Sequence, residues 1–215
     1  MINKTFEKVY CVNLDRRVDR WERCENIFRE NQIDVERISA TEGETIHLDT
    51  PNSLKPGELG CMFSHLGIIQ NAKDNGFESV LIFEDDVEFA EDFNNLFCEY
   101  MKQVPKDWQL LYLGGNHSLC NIHMRTDDIP PVQISENVYK INRAFSCHAY
   151  AVRKDMYDRL IEKANQASYN LPIDVLYSQL QYDSRSYLIR PHLCWQREGY
   201  SDIQQENVNY EFLKY

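Results

Sequence analysis

Residues Ser79 to Phe89 read SVLIFEDDVEF: four apolar residues, Val80 to Phe83, run straight into three acids, Glu84, Asp85 and Asp86. A short unbroken apolar run, with the turn signal Asn75-Gly76 just upstream, reads as a strand buried on both faces. Three adjacent carboxylates at its end disfavour one another's ionised form, a cost that a divalent cation relieves. If extended geometry continues through the acids, Glu84 and Asp86 point to one side and Asp85 to the other. Glu84 and Asp86 could then share one hard cation, with phosphate and water oxygens completing its shell. The competing reading is a solvated acidic turn leading into a helix near Phe93.

Upstream, Lys8 to Leu14 (KVYCVNL) is a first strand. Asp15 is placed to cap a following helix with Val18, Trp21, Cys24 and Phe28 on one stripe. Arg16, Arg17 and Arg20 crowd the start of that helix, against its dipole. Such a conflict suits a diphosphate at the helix N-terminus. Pairing with Asp15, Asp19 and Glu22 would instead make it a solvated face. Val35 to Ala40 predicts a second strand and Thr41 to Gly57 a polar loop. Glu58 to about Lys73 predicts a helix with Leu59, Met62, Phe63, Leu66 and Ile69 inward, and with Ser64 and His65 off the centre of that face.

Downstream, Asp92 to Gln103 predicts a helix, and Trp108 to Leu113 a strand ending in Gly114-Gly115-Asn116, where glycines admit a ligand close to the backbone. His117 to Ser135 reads as a long mobile loop. Asn137 to Asn142 and Ser146 to Val152 read as two more strands, antiparallel in direction. Helices follow at Asp155 to Ala164 and from Leu171-Pro172 to Leu180, then a last strand at Tyr187 to Ile189. The aromatic tail, Leu193 to Tyr215, either folds over a site or covers the sheet. Strands alternating with helices imply a parallel α/β sheet, whose ligands bind beyond the carboxyl ends of the strands. The arginines after Leu14, the acids after Phe83 and the glycines after Leu113 all fall at such ends.

At 215 residues the chain suits one domain. Its net charge of -11 argues against a nucleic-acid partner, for which a basic footprint is expected. An anionic substrate would need a cation, an arginine cluster or a helix N-terminus. No apolar run is long enough to span a bilayer, and MINKTFEKVY lacks the pattern of a signal peptide. Seven scattered cysteines with no Cys-x-x-Cys pair read as thiols in a reducing, cytoplasmic setting. The sequons at Asn3 and Asn116 matter only in a secretory pathway.

In combination these blocks resemble glycosyltransferase family 25, the lipooligosaccharide and collagen galactosyltransferases. The resemblance runs through VYCVNLDRRVDR (Val9 to Arg20), GELGCMFSHLGIIQNA (Gly57 to Ala72), LIFEDDVEF, LGGN at Leu113, HAYAVRKD at His148, LPIDVL at Leu171 and RPHLCWQREGYSDI up to Ile203. It implies a GT-A-type nucleotide-binding fold with a mostly parallel central sheet flanked by helices, residues 1–215 forming one catalytic domain. It also implies a UDP-sugar donor, Mn²⁺ (or Mg²⁺), and inverting transfer of galactose, or of glucose or xylose, to a saccharide or glycolipid acceptor. Peripheral membrane association is compatible with such an acceptor. Donor contacts are expected from Asn13, Leu14, Arg16, Arg20, Ser64, His65, Phe83, Glu84, Asp85, Gly114, Gly115 and Asn116. Metal ligands are expected from Glu84 and Asp86, with His65 and His192 as extra candidates. A base for the acceptor hydroxyl is expected from Asp174 or Asp202; Asp174 would equally serve as an N-cap and Asp202 as an anchor for the tail. Two other readings stay open: a binding module that holds a nucleotide sugar without turnover, and a nucleotidyltransferase. The latter expects a glycine-rich loop that Val9 to Arg20 lacks.

Overall fold

The computed structural model describes residues 1–49, 52–117 and 129–214. Most of the expected His117–Ser135 loop, with Asp127-Asp128, therefore lies outside the described residues. So does Pro51 of the Thr41–Gly57 loop. In chain order the first half comprises α1 (Ile2–Thr5), β1 (Lys8–Asn13), α2 (Val18–Glu30), β2 (Glu36–Ser39), α3 (Pro56–Asp74), β3 (Ser79–Glu84), β4 (Val87–Phe89), α4 (Phe93–Met101) and β5 (Leu110–Tyr112). The second half comprises β6 (Val132–Gln133), β7 (Val138–Lys140), β8 (Ala149–Arg153), α5 (Lys154–Gln166), α6 (Ile173–Gln181), β9 (Ser186–Ile189), β10 (Cys194–Gln196), β11 (Gly199–Ser201) and β12 (Glu206–Val208).

An eight-stranded sheet in the order β2-β1-β3-β8-β5-β9-β7-β6 forms the centre. Six of its strands run one way, and β8 and β7 run against them. The α/β architecture with a mostly parallel sheet is thus as the sequence predicts. β7 and β8 are the two antiparallel strands, as expected; β8 lies between β3 and β5, and β7 between β9 and β6.

Alternation along the strands divides the core in two. Leu81 and Phe83 face one side with Cys11, Leu111, Cys24 and Phe28 of α2, and Phe93 and Phe97 of α4. Val80 and Ile82 face the other with Tyr10, Tyr150, Met62 and Ile69 of α3, Leu160 of α5 and Leu176 of α6. Burial on both faces explains why β3 shows no polar alternation until Glu84. Continuing the same phase, Glu84 falls on the α3 side.

Two small ribbons complete the fold. β4 pairs antiparallel with β10, and β11 with β12. The tail that carries β10 to β12 crosses the carboxyl ends of β1 and β3. It comes so close to α3 that a Cβ on Gly57 would lie 2.9 Å from the Ile203 Cα, which only glycine tolerates. The tail thus folds over the sheet end. Among the described residues no helix is long and apolar enough to cross a membrane.

Candidate active site

A cavity of about 440 Å³ lies beyond the ends of β1 and β3, under the tail. All three acids line it, with Arg20, His65, Cys61, Asp174, Gln196, Asp202 and Tyr210. Extended geometry does not continue through the acids: β3 ends at Glu84, and Asp85-Asp86 form a turn into β4. The side chains nevertheless diverge to different partners. Glu84 Oε1 sits 3.3 Å from His65 Nε2 on α3. Asp85 accepts hydrogen bonds of 2.7 Å each from Arg20 on α2 and from the Asn13 amide at the end of β1. Asp86 is bonded by Gln196 of β10.

Crowding separates their proton affinities. Burial pushes the Glu84 carboxyl up, but His65, His148 and Arg20 outweigh it and hold the pKa below the usual range. Burial raises Asp85 despite Arg20 and Asn13. Asp86 is pushed up to about 8, by burial first and then by the charges of Glu84 and Asp85. Its Oδ1 is buried without a hydrogen-bond partner among the described residues. A hard cation fits this arrangement: an orphaned carboxylate oxygen points into a cavity roomy enough for a nucleotide's phosphates, and neutralising it removes the repulsion.

The arginines are paired with the chain's own carboxylates. Arg17, not Asp15, is the residue that precedes α2; Asp15 instead binds Arg37 and Ser39. Arg16 bridges Glu42 and Asp202, Arg17 bonds Asp202 and Asp19, and Arg20 bonds Asp85 and the Tyr200 carbonyl. The dipole conflict read from the sequence is answered by these acids.

Several expected site residues stand elsewhere or serve other ends. The Phe83 ring is fully buried against Phe28 and Phe89, so it presents no side chain to a donor. Gly114 admits protein, not ligand: a Cβ there would meet the Cys194 carbonyl oxygen at 1.8 Å. Gly114 and Gly115 do not line the cavity, whereas Asn116 does. Arg16 lies outside the lining, half exposed. Asn13 and Leu14 line it, but the Asn13 amide is spent on Asp85, the Arg17 carbonyl and Arg37. Ser64 lines it too, yet its hydroxyl donates to the Gly60 carbonyl and accepts from the Thr41 N–H, a structural use. His192 is not placed as a ligand: its Nδ1 lies 2.7 Å from the Leu213 carbonyl and its Nε2 3.3 Å from His117 Nε2.

Of the two candidate bases, Asp202 is committed to Arg16 and Arg17 and ties the tail to α2, as the anchor reading had it. Asp174, at the start of α6, accepts from the Ser146 N–H at 3.1 Å and the Val175 N–H at 2.7 Å. Burial raises its pKa. Sequence reasoning missed Tyr210, which lines the cavity and whose phenol is pushed up to about 12, by burial first and then by Asp86, Glu84 and Asp174. It also missed Ser146. The only signal for Tyr210 was the aromatic character of the tail.

"Procollagen galactosyltransferase 2" of Mus musculus is 30% identical over 129 residues, 51% of this chain and 21% of that protein. "Inactive glycosyltransferase 25 family member 3" of the same organism is also 30% identical, over 51% of this chain and 22% of that protein. The match thus spans about a fifth of the length of these relatives. A solved UDP-glucose pyrophosphorylase complexed with UDP-glucose aligns over 85% of this chain and 72% of that one, at 10% identity and a TM-score of 0.47. The family model described as "Glycosyltransferase family 25 (LPS biosynthesis protein)" matches residues 6–177, most of the cavity's lining included, and the chain belongs to that family.

Proposed function

We propose that the chain transfers a hexose, galactose foremost, from a UDP-sugar to a hydroxyl of a saccharide or glycolipid acceptor, with inversion at the sugar. The observation that carries the reading is the three-carboxylate turn, with Asp86 Oδ1 orphaned, opening into a 440 Å³ cavity that Asp174 also lines. Asp86 and Glu84 are the residues that would hold Mn²⁺ or Mg²⁺, whose role when bound is to neutralise the charge gathering on the leaving diphosphate. Arg20, largely buried and clasped to Asp85, adds fixed positive charge at the same rim. Asp174 is the base: two backbone N–H groups aim its carboxylate, and its raised pKa makes it the better proton acceptor for an incoming hydroxyl. Asp202 is too firmly paired for that task. The tail excludes water from the cavity, which keeps the donor from hydrolysing.

The experiment is a donor screen: UDP release from a panel of nucleotide sugars, with and without Mn²⁺, on glycan and glycolipid acceptors. Acceptor-dependent UDP release from UDP-galactose, lost with a chelator and in D86A, is expected. Binding of UDP with no release on any pairing would favour the binding-module reading, to which the inactive relative gives some weight. Pyrophosphate release from UTP and a sugar phosphate would identify a nucleotidyltransferase.

A further inference from the structure

Behind the three-acid turn, on the α3 side, Cys61, His65 and Glu84 bring a thiol sulfur, an imidazole nitrogen and a carboxylate oxygen within 4.8 Å of one another. Cys61 and His65 are four residues apart on α3 and therefore share one helix face; Glu84 meets them from the end of β3. His65 is wholly buried, and its Nε2, aimed at this point, has no hydrogen-bond partner among the described residues. The other ring nitrogen, Nδ1, lies 2.9 Å from the Tyr150 hydroxyl. With Nδ1–H donating to Tyr150, Nε2 is left with a free lone pair, the tautomer and orientation that a metal-binding histidine requires.

The spacing of the two closest donor atoms is that of ligands sharing an ion. His65 Nε2 and Glu84 Oε1 are 3.3 Å apart, the spacing of two ligands on one ion, and the Cys61 thiol, which donates to the same oxygen at 4.0 Å, would have to move in by a few tenths of an ångström to join them. Tetrahedral coordination with bonds of about 2.0–2.3 Å puts ligand atoms about 3.3–3.7 Å apart. A thiol and an imidazole beside one carboxylate are a donor set for a borderline ion, not for Mg²⁺, which demands oxygen.

We propose that Cys61, His65 and Glu84 form a second metal site, selective for a thiophilic divalent ion of the Zn²⁺ class. It holds three protein ligands and one position open to the cavity, and it fills in the free protein. Binding exchanges the Cys61 S–H proton for an S–metal bond, and the proton leaves to solvent. The site goes beyond the sugar-transfer reading but shares Glu84 with the ion expected at Asp86, one carboxylate oxygen facing each ion. Its ion needs no nucleotide, whereas the ion expected at Asp86 is completed by a diphosphate.

Chelator-treated full-length protein titrated with Co²⁺, without nucleotide, tests this. Expected are a thiolate-to-cobalt charge-transfer band in the near ultraviolet, saturation near one ion per chain, its displacement by Zn²⁺ and not by Mg²⁺, and loss of the band in C61S. Y150F keeps every ligand and removes only the support of His65 Nδ1. It should weaken Zn²⁺ binding by about 10–100-fold while leaving the band intact, which keeps the test decisive should C61S not fold. No band in the wild type, a band that survives in C61S, or unchanged affinity in Y150F would overturn the site. Coupling between Mn²⁺ and UDP in C61S, where the second site is lost and Glu84 and Asp86 remain, tests the sugar-transfer reading apart from this one.

Discussion

The tail that covers the cavity is pinned by two buried histidines, and that pin should fail in acid. His192 Nδ1 faces the Leu213 carbonyl at 2.7 Å, so Nδ1 carries the proton and Nε2 is an acceptor. His117 Nε2, 3.3 Å from that acceptor, must then be the donor. Both rings are neutral, and adding a proton to His192 Nε2 would set donor against donor. Burial first, and then Arg190 and the neighbouring histidine, push His117 down to about 3; burial, offset in part by the Leu213 carbonyl, and then His148 and Arg190 push His192 down to about 4, against 6.5 when unperturbed. The folded state therefore binds fewer protons than the unfolded one between pH 6.5 and about 4, so the pair's stabilisation is complete above pH 6.5 and is lost on acidification through that window. At pH 5 each histidine is 1.5 pH units below its unfolded pKa, a loss of about 2 kcal/mol per ring at 1.36 kcal/mol per unit.

Raw acid curves would hide this. Asp86, pushed up to about 8, contributes with the opposite sign, since protonation on acidification favours the folded state. A difference against H117Q removes that common contribution. The glutamine amide donates to His192 Nε2 at neutral pH and can turn its oxygen inward to accept once His192 is protonated. Urea unfolding of both proteins from pH 7.5 to 5 is the assay. Relative to H117Q, the wild type should lose about 2 kcal/mol, the share of the one ring removed, a large part of a domain's total stability. Parallel stability curves would refute both the tautomer assignment and the pH window.

Other outcomes follow from the site. Arg20→Ala should cost on the order of 1.5–3 kcal/mol in UDP affinity by calorimetry, because its guanidinium is mostly buried at the cavity rim, while Arg16→Ala, half exposed and outside the lining, should change it far less, since Arg17 still holds Asp202. Asp174→Asn cannot take a proton and, with one acceptor oxygen in place of two, keeps only one of the two backbone hydrogen bonds, so UDP release should fall about a hundredfold while the melting temperature drops only by the loss of that one bond. Asp86→Ala should abolish the mutual tightening of Mn²⁺ and UDP in calorimetry and leave the metal-free protein as stable as the wild type or more so. Gly57→Ala should push Ile203 off α3, costing about 1–3 kcal/mol by urea unfolding and raising the KM for donor.

Legibility in the sequence tracked how local each cause was. β3 was visible because burial on both faces leaves an unbroken apolar run, and α3 because its periodicity and its Asn75-Gly76 stop are written within twenty residues. The acids at the end of β3 could be placed at a site because parallel topology sends ligands there. Nothing local marks the tail: β10, β11 and β12 are three residues each, and β4 finds β10 only across more than a hundred residues of chain. The same distance hid the true partners of the arginines. Arg17 and Asp202 are 185 residues apart, so spacing shows an unanswered cluster of positive charge where the folded chain shows an answered one. Gly114 was legible as a point of close approach but not as to what approaches, and the neighbour is the Cys194 carbonyl.

That pairing bears on how the site must work. Arg16 and Arg17 share the tail's Asp202, and Arg20 faces Asp85, so a diphosphate entering this rim meets guanidinium groups that are already neutralised. It can gain from them only by sharing Arg20 with Asp85 or by drawing the tail's Asp202 away from α2. The first route keeps the cavity closed, and the second opens it. Since Arg20 also holds the Tyr200 carbonyl of the tail, donor binding and tail position are one equilibrium, and the residues that close the cavity are those that decide how strongly it takes an anion.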